Sequence, residues 1–369
     1  MRIERIVVRE VGLELREPFR ISSGLTRQRR ILLVHIEGDG VDGVGECVAG
    51  EAPNYSYETV ETARWALESH LGPAVLGAEV EGPGEIQVLL EGAAKGHRMA
   101  KAAIEMAVWD ADARRRGVSL ASHLGGTRAS VPAGVSIGIQ ESMEGLLERI
   151  GGFLAEGYRR IKLKIEPGRD FAVLDGVRAR YPEIPLTVDA NAAYPVESLA
   201  RVAELDRYGL MLVEQPFGED EVLAHAALQA RLETPVCLDE TVTSPARCRE
   251  ALALAACRVV NIKPGRLGGH GASLAVHDLC AAAGVPVWCG GMLESGIGRA
   301  HNVALASLPN MRLPNDTSAS ARYWARDVVA PPFELDGEGM VRVPTGPGIG
   351  VELDEDYLAA LEVGRVELY

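Results

Sequence analysis

Five short apolar runs between residues 161 and 263 each end on a charged side chain, and those charges recur at a nearly fixed interval. The runs are Ile161-Lys162-Leu163-Lys164, Leu186-Thr187-Val188-Asp189, Met211-Leu212-Val213-Glu214, Val236-Cys237-Leu238-Asp239 and Val259-Val260-Asn261-Ile262-Lys263. Lys164 to Asp189 is 25 residues, the steps to Glu214 and Asp239 are 25 each, and Lys263 follows after 24. Each interval holds an amphipathic stretch long enough for one helix. A constant period with a charge at constant phase means one supersecondary unit repeated, every charge being delivered to the same end. In a parallel β/α barrel that end is the C-terminal face, where sites are built.

The rest of the chain is arranged around this ladder. Up to about residue 50 it reads as antiparallel strands, with Ile3, Ile6 and Val8 in one run, Ile31 to Ile36 in another, and Gly38-Asp39-Gly40 as a turn. Pro18 to Gly24, polar and glycine-ended, reads as a loop, and Gly43-Val44-Gly45-Glu46-Cys47 leads into Pro53-Asn54-Tyr55. A helical pattern follows to about residue 116, clearest where Ile104, Val108 and Ala111 share a face. Strands followed by helices, without alternation, predict a separate α+β lobe. From about residue 126 strand and helix alternate, with strand ends expected near Ser136, Lys164, Asp189, Glu214, Asp239, Lys263, Gly290 and Asp316. Ser244-Pro245 is a helix cap with proline at the first helical position, and Gly284 ends the helix before Val285-Pro286-Val287-Trp288-Cys289. The expected division is a capping domain over 1–125, a barrel over 126–324 and a C-terminal segment over 325–369 that packs back on the cap.

Bulk properties narrow the partners. A net charge of −14 argues against a general nucleic-acid or membrane-surface binder, which needs a positive field. The basic runs at Arg27, Arg29 and Arg30 and at Arg114 to Arg116 are local, and the second reads as a solvated face. The six cysteines show no metal-ligand spacing, no apolar run approaches a membrane span, and the start Met1-Arg2-Ile3-Glu4-Arg5 lacks an apolar signal core. A cytoplasmic enzyme with a small-molecule substrate fits these features.

Three carboxylates brought to one end of a barrel, Asp189, Glu214 and Asp239, would repel one another, and at least one would hold a proton. A lone aspartate is better read as a helix cap or a lysine's partner; three at a period of 25 are not. A hard divalent cation resolves the repulsion, and an all-oxygen set suits Mg²⁺, with Mn²⁺ or another divalent cation able to substitute. The lysines flank the carboxylates in strand order, so barrel closure sets Lys164 and Lys263 on opposite sides of the cation. Two opposed amines near a cation can take a proton from one face of a carbon and return it to the other. The carbon this arrangement suits lies α to a carboxylate, where a cation stabilises the charge left when the proton departs. Lys162, two residues before Lys164, faces the same side. The turn after Lys263 lacks the glycine order and acidic residue of a dinucleotide fold, and Gly290 to Gly298 offers backbone N–H groups to an anion.

Taken together, Lys162-Leu163-Lys164, Val188-Asp189-Ala190-Asn191, Glu214-Gln215-Pro216, Leu238-Asp239-Glu240, Ile262-Lys263-Pro264-Gly265-Arg266 and Trp288 to Arg299 resemble the enolase superfamily. The subgroup is the muconate-lactonizing one, and the nearest branch is that of N-acylamino acid (N-succinylamino acid) racemases and o-succinylbenzoate synthases. Resemblance extends over essentially the whole chain. It implies a modified TIM barrel, (β/α)7β, under an α+β cap, acid/base roles for Lys164 and Lys263, and Mg²⁺ ligation by Asp189, Glu214 and Asp239. It also implies supporting roles for Lys162 and Asn191 beside the substrate carboxylate and metal, and for Glu240 as a partner of the second lysine. Phe19, Ser23 and Tyr55 fall in the family's lid, and Ser136, Arg266, Gly291, Met292, Leu293 and Glu294 match positions around the substrate pocket. The family forms homo-oligomers, octamers among them. Ala192 and Asn315 stand where serine and glycine are more usual, a change that touches local packing and pocket shape but not the chemistry.

The resemblance implies two reactions for one site: racemisation of N-acyl amino acids, and the syn dehydration that forms o-succinylbenzoate for menaquinone. Dipeptide epimerisation and muconate cycloisomerisation keep the metal and lysines but change the substrate. The dipeptide enzymes carry an acidic pair after the seventh strand, where this chain has only Glu294. A metal-stabilised barrel without turnover would have no use for two lysines opposite three carboxylates.

Overall fold

The computed structural model describes residues 1–369. Its N-terminal lobe is a four-stranded antiparallel sheet packed on helices. The strands are Arg5–Ile21, Gly24–Gly38, Val41–Cys47 and, from the far end of the chain, Glu362–Leu368, which pairs with the first strand from Ile6↔Leu368 onward. The long helix Arg98–Arg115 lies directly on the strand Val41–Cys47. That approach requires glycine: a Cβ on Gly43 or Gly45 would meet the helix carbonyls of Ala107 and Ala103 at 2.1 Å. Ile6, Val8, Leu32, Val34, Ile36, Ile104 and Val108 form the core between sheet and helices.

The stretch Pro18–Gly24, expected as a loop, is the end of a β-hairpin instead. Phe19↔Thr26, Arg20↔Leu25 and Ile21↔Gly24 pair after a register shift between Glu14 and Phe19. A two-stranded ribbon that projects beyond its core has no buried face to impose alternation, so its composition looks like a loop.

The second lobe is a seven-stranded parallel sheet, from Gly134–Ile137 through Arg160–Lys164, Leu186–Asp189, Leu212–Glu214, Val236–Leu238 and Val259–Ile262 to Val287–Cys289, in sequential order. Helices fill the connections, as the period predicts. Ser244 accepts a hydrogen bond from Arg247 N and Pro245 opens the helix, while Gly284 takes a left-handed φ of 71° after the helix His270–Ala282. The expected eighth strand appears as isolated bridges at Met311 to Val287 and at Asn315 to Ala133, which join the sheet's two edges. Arg312 N donates to Val287 O (3.0 Å), Asp316 N to Cys289 O (2.8 Å) and Gly134 N to Asn315 O (2.6 Å). The Asn315 side chain adds to the seam, because its Oδ1 accepts from Cys289 N at 2.7 Å. The strand read over Val131–Ser136 divides: Ser130–Pro132 pairs antiparallel with Met340–Arg342, and the barrel strand starts at Gly134. No helix is long and apolar enough to cross a membrane.

Candidate active site

Strand register assembles the charges. Lys164 pairs with Asp189 and Asp189 with Glu214 across successive parallel strands, and Asp239 lies just past the end of the next. Asp189, Glu214 and Asp239 are fully buried, and one ligand oxygen from each lies within 4.8 Å of the others. Three buried carboxylates are tolerable only with compensating charge, and cations supply it from both sides. Lys164 Nζ donates to Asp189 Oδ2 (2.6 Å) and to Asn191 Oδ1 (2.6 Å). Lys263 Nζ donates to Asp239 Oδ2 (2.7 Å) and to the Tyr55 hydroxyl (3.1 Å). Lys162 Nζ sits among Asp316 (2.8 Å), Glu214 (3.2 Å) and Asp189 (3.4 Å), above the Trp288 ring. Glu214 Oε1 also accepts from Asn261 Nδ2 at 2.7 Å.

The lysines are tuned in opposite directions. Burial lowers the Lys164 pKa, reinforced by Lys162 and Lys263 and opposed by Asp189 and Glu214. Burial acts likewise on Lys263, but Tyr55, Glu240, Glu214 and Asp189 outweigh it and leave its pKa raised. Burial raises the Asp189 carboxyl, yet Lys164 and Lys162 overcome that and hold it at about 2. An all-oxygen cluster of three carboxylates fits a hard divalent cation.

The turns that carry these groups are conformationally costly. Asn191, Ala192, Gln215 and Leu293 all have positive φ, at 45°, 60°, 37° and 59°. Non-glycine residues keep such angles only where surrounding structure fixes them, often at functional sites. Here Gln215 Oε1 accepts from Asp239 N (3.0 Å) and Thr241 N (3.2 Å), tying the strand end of Glu214 to that of Asp239.

A cavity of about 110 Å³ opens beside the two lysines. Phe19, Tyr55, Lys164, Asn191, Lys263, Gly291, Met292 and Leu293, all expected at the site, line it. Ser23 borders an adjoining opening with Tyr55, Asn191 and Glu240. The other expected residues sit behind this surface. Ser136 Oγ donates to Asp316 Oδ2 at 3.2 Å. Glu294 Oε1 accepts from Met292 N (2.8 Å) and Asn302 Nδ2 (2.9 Å) and so shapes the turn it belongs to. Arg266 is buried against Asp239 Oδ1 and donates to Val242 O (2.9 Å) and Asn261 O (2.5 Å), which makes it a support of one carboxylate of the triad. Glu240 Oε1 accepts from Asn191 Nδ2 at 3.0 Å, so its direct partner is that asparagine; its charge still acts on Lys263.

Ile21, between the lid residues Phe19 and Ser23, also lines the cavity, as do Thr26, Arg29, Val48 and Met99, which the sequence does not single out for the site. In the sequence Arg29 is visible only as part of a basic run. It is buried and donates to Val48 O (3.0 Å) and Ala49 O (3.2 Å), fixing the start of the segment that presents Tyr55. Its phase with Ile31 and Leu33, both buried on the barrel-facing side, was the available signal.

Comparison with known proteins bears on this geometry. Residues 3–125 match the mandelate racemase / muconate lactonizing enzyme N-terminal domain, and residues 145–357 match the enolase C-terminal domain-like family. An o-succinylbenzoate synthase of Geobacillus stearothermophilus is 47% identical over 353 residues, covering 95% of this chain and 94% of that protein. An N-succinylamino acid racemase of Amycolatopsis sp is 48% identical over 370 aligned positions, covering 99% of this chain and 100% of the relative. Among solved structures, an enolase superfamily member from Listeria innocua superposes with a TM-score of 0.95 at 39% identity, covering 100% of this chain and 99% of that one.

Proposed function

We propose the reaction below for this chain, which belongs to the enolase superfamily through both its mandelate racemase / muconate lactonizing enzyme-type cap and its enolase-like barrel. It is an enzyme that removes a proton α to a carboxylate. Its substrates are N-acyl amino acids, above all N-succinyl amino acids, which it racemises, and the precursor of o-succinylbenzoate, which it dehydrates for menaquinone synthesis. Relatives bearing both activities' names, at 47% and 48% identity, support the pairing.

The observation that carries the reading is the placement of Lys164 on Asp189 and Lys263 on Asp239, at the two ends of a triad with Glu214 between them. Asp189, Glu214 and Asp239 would hold Mg²⁺, with Mn²⁺ or another divalent cation as a substitute. A cation held there would supply stabilisation of the negative charge that develops on the substrate carboxylate as the α-proton leaves. Lys164 and Lys263 each face the α-carbon from one side. In racemisation one takes the proton and the other returns one to the opposite face, and the roles exchange for the other enantiomer. In dehydration Lys164 removes the proton and assists loss of hydroxide, while Lys263 stays charged. Lys162 and Asn191 steady the carboxylate end, and Phe19, Ser23 and Tyr55 close the cap over it. Residues 1–125, 126–324 and 325–369 serve as cap, barrel and returning segment of a cytoplasmic homo-oligomer, an octamer being one assembly open to it.

The test is a pair of specificity constants, for N-succinyl amino acid racemisation and for o-succinylbenzoate formation, measured with wild type and Lys263→Ala. Both activities should be present in the wild type and racemisation lost in the variant; racemisation at the wild-type rate without Lys263 would reject the two-base assignment.

A further inference from the structure

The substrate cavity has two walls that belong to different domains. Val48, Gly50, Ala52, Asn54 and Tyr55 come from the cap, and Gly291, Met292 and Leu293 from the loop after the seventh barrel strand. Met292 packs on the cap core beside Tyr55 and Val48, and a buried carboxylate ties the two domains behind that contact. Glu46, fully buried, is the penultimate residue of the cap strand Val41–Cys47 that runs into Val48. Its carboxylate crosses to the barrel, where Oε1 accepts from Ser295 N (3.1 Å) and Oε2 from Ser295 Oγ (2.5 Å) and Gly298 N (2.9 Å).

Those donors are the start of the helix Gly296–Ala306, whose own cap, Ser295 Oγ, accepts from Ile297 N at 3.2 Å. A carboxylate at a helix N-terminus satisfies unpaired N–H groups and meets a favourable dipole. Nothing larger than glycine fits at 298, because a Cβ there would lie 2.9 Å from Glu46 Cδ. Just before Ser295 the chain passes through the left-handed Leu293, held by Glu294 on Met292 N. Glu46 thus fixes the far end of a strained turn whose near end lines the cavity.

We propose that Glu46 is a positioning residue that sets the separation between the Tyr55 wall and the Met292–Leu293 wall, and through it the size of substrate side chain accepted. This rests on the reading that the cavity beside Lys164 and Lys263 takes the substrate. A second buried cap glutamate provides the control. Glu105 accepts from His270 N (2.8 Å) and Gly271 N (2.8 Å) at the start of another barrel helix, one that lines none of this cavity.

Glu46→Gln, Ser295→Ala and Glu105→Gln are made in the full-length protein. Thermal midpoints, kcat and KM are measured for N-succinyl-alanine and N-succinyl-phenylalanine, and amide hydrogen exchange is followed over 48–55 and 290–298. Glu46→Gln should change the ratio of the two kcat/KM values by about fivefold or more, mainly through KM, with faster exchange in both segments. Ser295→Ala should shift the ratio in the same direction by less, which keeps the idea open to test should Glu46→Gln fail to fold. Glu105→Gln should lower the midpoint and leave the ratio alone. An unchanged ratio and unchanged exchange at 290–298 in Glu46→Gln or Ser295→Ala would overturn the proposal. Wild type that turns over neither substrate would refute the reading of the site instead, and the exchange data would still judge Glu46.

Discussion

The ammonium of Lys263 lies 3.1 Å from the hydroxyl of Tyr55, although one sits at the end of a barrel strand and the other on a cap segment. The same hydroxyl donates to Asp239 Oδ1 at 3.0 Å, and the ammonium rests 4.6 Å from the centre of the tyrosine ring. The cap therefore makes a direct contact with Lys263. Removing the hydroxyl in Tyr55→Phe deletes two hydrogen bonds to charged groups, each worth about 1.5–3 kcal/mol. We expect kcat/KM to fall about tenfold or more and the thermal midpoint to drop by several degrees. Steady-state kinetics beside a melting curve checks both halves.

Chelation should abolish turnover, and added Mg²⁺ should restore it. Lys164 and Lys263 lie 2.6 and 2.7 Å from Asp189 and Asp239 and offset part of the carboxylates' repulsion, so the chelated protein should remain folded, with a lower midpoint that rises with free metal concentration. Activity that survives exhaustive chelation would show the carboxylate triad to be a structural cluster.

The histidine at 225 makes stability depend on pH. It is buried; its Nδ1 lies 2.8 Å from Glu221 O and Nε2 accepts from Phe217 N at 3.3 Å, so the neutral ring satisfies both partners. Burial pushes its pKa down to about 4 from an ordinary 6.5. In the unfolded chain the ring takes a proton as pH falls through 6.5, whereas the folded ring resists until about 4. Stability from this source is therefore complete above 6.5 and is lost as pH falls towards 4, by about 2 kcal/mol at pH 5. Chemical denaturation at pH 7 and pH 5 should show that loss in wild type and a smaller one in His225→Gln.

Barrel closure through Asn315 gives a stability prediction without a catalytic one. In Asn315→Ala the buried Cys289 N–H loses its acceptor, at a cost of about 1–3 kcal/mol. Denaturation should register the loss, and kcat should stay within about twofold, since Asn315 lies at the seam and outside the cavity lining.

How much of this was legible in the chain varies with how each residue acts. Asp189, Glu214 and Asp239 stood out because an ionisable group repeated at the end of otherwise apolar strands has no packing explanation. Lys164 and Lys263 stood out with them because barrel closure converts order along the chain into position around a ring. Glu46 and Arg29 act through burial and through partners hundreds or tens of residues away, as with Glu46 and Gly298. A single charge in Gly-Val-Gly-Glu-Cys is indistinguishable by pattern from a solvent-facing strand residue. Arg266 and Glu294 illustrate the converse. Both were recognised as important positions, but side-chain direction, which spacing does not encode, turned them towards Asp239 and the Met292 amide.

Action of Lys164 and Lys263 on opposite faces of one α-carbon is open to a direct test, the loss of the α-proton signal in deuterated water. Each enantiomer of an N-succinyl amino acid is incubated with Lys164→Ala and Lys263→Ala and followed by proton NMR. Neither variant should racemise, and each should exchange the α-proton of one enantiomer only, the opposite one in the two cases. Racemisation by either variant at the wild-type rate, or exchange of the same enantiomer by both, would contradict it.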